Sequence, residues 1–79
     1  MDDMDDDLPE MTKAERQAWV HTHLSERGIP EVGRQTHLTK YARISKPTAQ
    51  AILLGSLPRD MRVAYRFAKR YSLDLLEWV

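Results

Sequence analysis

The sequence predicts an all-α domain, a compact bundle of about five short helices. Three observations carry that expectation. Apolar residues recur three and four positions apart, as in Leu38 and Ala42 or in Ala64, Phe67, Ala68 and Tyr71, which is the repeat of one helix face. Residues that start and stop helices bracket these stretches, with Thr12, Ser45 and Asp74 ahead of them and Gly28 and Gly55 behind. No segment alternates polar and apolar residues strictly enough to form a half-buried strand, and strands need that period of two.

The first helix is expected over residues 13–27. Thr12-Lys13-Ala14-Glu15 fits the capping box, in which the threonine hydroxyl and the glutamate carboxylate satisfy backbone N–H groups reciprocally. Its inward stripe is read as Ala14, Ala18, Val20 or His21, and Leu24, with Gly28 and Pro30 ending it. The second helix begins between Glu31 and Gln35, around Gly33, and runs to Ala42 with Leu38 and Ala42 inward. The third is capped by Ser45, tolerates Pro47 in its first turn, buries Ala49, Ile52 and Leu53, and stops at Gly55. The fourth is expected from about Arg59 to Tyr71, its apolar side opposed by Arg62, Arg66, Lys69 and Arg70, a stripe read as a solvated face. A last short helix or turn, capped by Ser72 or Asp74, carries Leu75, Leu76, Trp78 and Val79.

Length and composition narrow the function classes. The 79 residues fit one domain with a thin core, and there is no cysteine to supply a disulfide or a thiolate metal site. No apolar run approaches the roughly 18 residues of a membrane span, and an acidic N-terminus is wrong for a secretory signal. The expected location is therefore the cytoplasm, with no membrane partner. The formal net charge of zero hides a segregation. Six of the 12 acids lie in residues 1–10, whereas all 12 Lys and Arg follow residue 11, so the tail carries −6 and the body +6. Residues 1–11 read as a disordered acidic tail, since a like-charged run with little apolar content cannot offset its ordering entropy. Residues 12–79 read as the folded domain, and a basic body of this size suits a polyanion.

The densest signal is Leu38 to Gly55, LTKYARISKPTAQAILLG. Leu38, Ala42, Ile44, Ala49 and Ile52 fall where two helices can pack across a turn of about three residues. Ser45, Lys46, Thr48 and Gln50 are then left on the outer side of the second of them. This segment resembles the helix-turn-helix of the lambda-repressor-like family (Cro, phage-repressor and XRE-type DNA-binding domains). The resemblance covers residues 35–79 well and the first helix loosely, and it leaves out the tail. It implies that helices 2 and 3 form the helix-turn-helix and that the start of helix 3 enters the major groove of double-stranded DNA. Lys46 would reach guanine edges or phosphate, Gln50 adenine, and Thr48 and Ala51 thymine methyls. Gln35 and Arg34 at the start of helix 2, Arg43 and Ser45 at the turn, and Ser56 and Arg59 in the following loop would hold the phosphate backbone. Leu76, Trp78 and Val79, in the position of the family's closing helix, would make a dimer contact.

Three positions depart from the family pattern. Arg43 stands at the turn position usually held by glycine, where a left-handed backbone would cost about 1 kcal/mol. Thr39 replaces a small alanine, which predicts a looser fit between the two helices. The link from Gly28 to Leu38 is several residues longer than usual.

The remaining polar residues point to no other chemistry. His21 and His23 are two apart and point in different directions on a helix, and together with His37 they read as surface or edge residues rather than metal ligands. The Asp-rich tail lacks the spacing and the glycine of a calcium loop. No serine, histidine and acid arrangement suggests catalysis, and no cofactor or small-molecule ligand is expected. The expected function is a sequence-specific DNA-binding transcription regulator, a phage or mobile-element repressor acting as a homodimer on an inverted-repeat operator. The tail is expected to compete with DNA phosphate for the basic body. The rival reading is a protein-interaction module (an antitoxin, an adaptor or an inhibitor of another regulator) that uses the helical body and the acidic tail.

Overall fold

The computed structural model describes residues 11–79, and the acidic tail of residues 1–10 lies outside the described residues. Five helices follow one another: α1 Lys13–Glu26, α2 Arg34–Tyr41, α3 Lys46–Leu53, α4 Met61–Arg70 and α5 Leu75–Trp78. There is no strand among the described residues. The protein is thus all-α, a small helical bundle.

Side-chain caps set the starts of α1, α4 and α5. At α1 the capping box is complete, with Glu15 N donating to Thr12 Oγ1 (3.1 Å) and Thr12 N to Glu15 Oε1 (2.8 Å). Asp60 accepts from Arg62 N (2.9 Å), so α4 starts at Met61 rather than at Arg59. Asp74 accepts from Leu76 N (3.0 Å) and is the cap of α5. Ser72, the alternative cap, instead ends α4 in the left-handed conformation (φ 56°). There it closes a pair of bonds, Leu73 N to Ala68 O (2.8 Å) and Ser72 N to Lys69 O (3.3 Å), the same geometry that Gly28 and Gly55 give α1 and α3. Gly55 carries a second constraint. A Cβ there would stand 2.2 Å from Lys13 O, so only glycine lets the end of α3 meet the start of α1.

One core joins all five helices: Val20 and Leu24 of α1, Leu38 of α2, Ala49 and Ile52 of α3, Ala64 and Phe67 of α4, and Trp78 of α5. Phe67 and Trp78 pack as a tilted pair, with centroids 4.9 Å apart at 53°. The inward stripe of α1 differs from the expected one. Ala14 and Ala18 are exposed, and Arg16, Val20 and Leu24 point inward. The guanidinium of Arg16 can be buried because three carbonyls converge on it: Gly55 O (3.1 Å), Met11 O (3.1 Å) and Trp78 O (3.4 Å). α2 and α3 make the most extensive helix contact despite Thr39, whose hydroxyl turns back to Thr36 O (2.9 Å). No helix among the described residues is long and apolar enough to cross a membrane.

Candidate nucleic-acid interface

The surface made by α2, the connection through residues 42–45 and α3 has an unusual composition. From Val32 to Arg59 the chain contains no Asp or Glu, while Arg34, Lys40, Arg43, Lys46 and Arg59 fall within the same stretch. This acid-free window was available in the sequence and is a sharper signal than the net charge of the body. Along the chain, α3 is thus flanked by cations and by no acid.

Ser45 sets the start of α3 with extended backbone (φ −61°, ψ 152°). Its hydroxyl donates to Thr48 Oγ1 (2.9 Å) rather than capping a backbone N–H. α3 seats Ala49 and Ile52 fully in the core and leaves Lys46 and Gln50 exposed, with Thr48 and Ala51 half-buried. Ser45, Lys46, Gln35 and Thr39 border a depression of about 410 Å³ between the start of α3 and the outer side of α2. This edge therefore offers an ammonium, an amide and hydroxyls, which are donors and acceptors suited to base edges and phosphate oxygens. The structure brings Gln35, Ser45, Lys46 and Thr48 together. Ser56 and Arg59, in the loop that follows α3, do not line this depression.

Arg43 has φ 58°, the left-handed conformation that its glycine-like position implies. Its side chain is exposed at the corner between α2 and α3. Its carbonyl accepts a hydrogen bond from Arg66 Nη1 of α4 (2.9 Å), and Arg70 Nε likewise donates to Tyr41 O (3.2 Å). The basic stripe of α4 is therefore more than a solvated face, since two of its arginines clasp the C-terminal end of α2.

Two expected site residues are corrected. Arg34 is only 4% exposed and is not a phosphate anchor. Its guanidinium donates to Ile29 O (3.1 Å), Pro30 O (3.2 Å), Ser25 Oγ (2.6 Å) and His21 Nδ1 (2.6 Å), tying the long link between α1 and α2 to the end of α1. His21 accepts at Nδ1, so Nε2 carries the proton that reaches Leu53 O (2.9 Å) and joins α1 to α3. Trp78 is fully buried and cannot contact a second copy of the chain. Beside it Val79 is half-buried and Leu76 is 84% exposed, which leaves Leu76 as the apolar group of the α5 end that a partner could cover.

A second surface was not anticipated. Tyr41 and Arg43 on one side and Met61, Arg62, Tyr65 and Lys69 on the other frame a groove of about 810 Å³ between the end of α2 and α4. Tyr41, Met61 and Tyr65 are each about half exposed, and Lys69 Nζ lies over the Tyr65 ring, 5.7 Å from its centroid. Asp60 pairs with Arg62 at 3.3 Å at one end, and that hydrogen-bonded guanidinium holds its carboxyl below the usual carboxylate range. Behind the groove, His37 Nδ1 meets Tyr71 Oη at 2.7 Å. Burial first, and the nearby Arg70 guanidinium second, lower the histidine below its ordinary range. Burial raises the tyrosine, against the opposing effect of Arg70.

Compared with known proteins, the chain matches no family model, no curated protein and no solved structure.

Proposed function

We propose that the protein is a sequence-specific double-stranded DNA-binding transcription regulator, a phage or mobile-element repressor, which presents α3 to the major groove as the second helix of a helix-turn-helix. One observation carries the reading: α3 buries Ala49 and Ile52 completely while exposing Lys46 and Gln50, inside a window of the chain that holds no acid. In this reading Lys46, Thr48, Gln50 and Ala51 face base edges. Gln35, Arg43, Ser45, Ser56 and Arg59 contact phosphates. Two copies, meeting around Leu76, occupy an inverted repeat whose half-sites lie about 10 base pairs apart, one helical turn.

Selection of bound sequences from random duplex DNA tests this proposal, with an enriched palindrome as the expected result. Lys46→Ala and Gln50→Ala should each weaken binding to the selected site by about 10- to 100-fold with the helical circular dichroism unchanged. Absence of any enriched sequence, or two variants that bind as the wild type does, would overturn it. The rival reading, a protein-interaction module, draws support from the half-apolar, basic groove on α4.

A further inference from the structure

We propose that the groove between the end of α2 and α4 is the docking site of the chain's own acidic N-terminal segment, residues 1–10. The groove pairs two chemistries. Its floor is the exposed carbon surface of Tyr41, Met61 and Tyr65, and its rim carries the cations Arg43 and Lys69, with Arg62 already paired to Asp60. An occupant must therefore supply several negative charges together with apolar side chains. Residues 1–10 do both, with six acids, no base, and Met1, Met4 and Leu8 spaced three and four apart. The α3 edge fits that description less well: Lys46 and Gln50 are exposed and polar, and its exposed apolar groups, Pro47 and Leu54, stand at opposite ends of the helix without an aromatic beside them. Charge alone would draw the segment to either surface. The methionines and leucine favour the groove.

The chain is long enough. Met11 O is bonded to Arg16 Nη2, and Arg16 Nη1 to Gly55 O, so the start of the described chain lies beside Gly55. From Gly55 to Met61 at the edge of the groove the chain can span at most about 21 Å, whereas residues 1–10 can span about 35 Å. The docking is intramolecular. Its consequence is a protein in which Arg43 and the α4 cations are covered while Lys46 and Gln50 of α3 stay free, and it holds whether or not α3 reads DNA.

The absence of cysteine allows a single spin label to be placed through Met4→Cys in the full-length, 15N-labelled protein. At about 50 mM salt the amide signals of Tyr41, Met61, Tyr65 and Lys69 should lose at least half their intensity relative to the reduced label, and they should recover at about 0.5 M, where charge attraction is screened. Broadening centred on Lys46 to Gln50, or spread evenly, overturns the proposal. So does broadening of equal size in a mixture of unlabelled-nitrogen, spin-labelled protein with 15N protein lacking the label, which reports docking between copies. Asp5→Asn, Asp6→Asn and Asp7→Asn in the labelled chain change only the segment and should reduce the broadening at least twofold. Lys69→Glu should do the same from the groove side with unchanged circular dichroism. Undiminished broadening in the tail variant sinks the idea even if the groove variant is unfolded.

Discussion

Arg66 donates to the main-chain carbonyl of Arg43, the residue that turns the chain between α2 and α3 in a left-handed conformation. The clasp holds a backbone atom, so it does not depend on which side chain occupies position 43. Arg43→Gly should therefore leave thermal stability within about 1 kcal/mol of the wild type, with relief of the left-handed conformation offsetting the added freedom of the unfolded chain. It removes one exposed cation, so DNA affinity should fall and the salt dependence of binding should flatten by about one unit of slope. Arg66→Ala should behave in the opposite way, losing about 1–2 kcal/mol in urea unfolding through the charged hydrogen bond.

Arg34 provides a contrast among the basic residues. Arg34→Ala removes four hydrogen bonds donated by a buried guanidinium and leaves the carbonyls of Ile29 and Pro30 without that partner. The expected loss is about 2–4 kcal/mol, read by urea titration. DNA affinity per folded molecule should not change. A loss of affinity with wild-type stability would return Arg34 to the interface.

Trp78 fills the centre of the core, yet its Nε1 has no partner among the described residues. Trp78→Ala should cost about 3–5 kcal/mol, enough to unfold much of a population whose total stability is of the order of 5 kcal/mol. Trp78→Phe should cost distinctly less, since the lost volume is smaller and the orphaned N–H goes with it. Differential scanning calorimetry orders the three proteins. Equal destabilisation by Ala and Phe contradicts the expectation.

His37 makes stability depend on pH. Its folded value lies below the ordinary histidine range, so the unfolded chain takes up a proton first as pH falls. The contribution of His37 is complete above about pH 6.5, the unfolded value, and is lost as pH falls through the folded value. Stability should thus rise with pH across that window. His37→Gln should flatten the rise, as measured by chemical unfolding at a series of pH values.

Much of the helical layout was legible. Thr12, Ser45, Asp74, Gly28 and Gly55 marked helix ends by local chemistry that needs no tertiary partner. Leu38, Ala42, Ala49, Ile52, Ala64 and Phe67 showed their burial through spacing. The face of α1 was misjudged because a charged residue occupies its core side. Arg16, Val20 and Leu24 form a clean four-residue repeat, but only the carbonyls gathered from Gly55 and Trp78 make an arginine acceptable there. Arg34 carried a usable warning, since a cation at the start of a helix opposes the helix dipole and must be held by something else. The groove on α4 could not be read from the chain because it exists only where α2 and α4 approach. The outward side of α3 followed directly from its buried side.

The arginines that close helix ends carry one more consequence. Arg16, Arg27, Arg34, Arg66 and Arg70 each donate to main-chain carbonyls, Arg27 to those of Tyr71 and Ser72. Small domains often fasten such ends covalently through sulfur, and this chain has no cysteine. A guanidinium keeps its charge throughout the physiological pH range and has no oxidation chemistry of the thiol kind. Reductants that open disulfide-stapled domains therefore find no fastening of that kind here, and the bundle should hold the same shape with or without a reducing thiol.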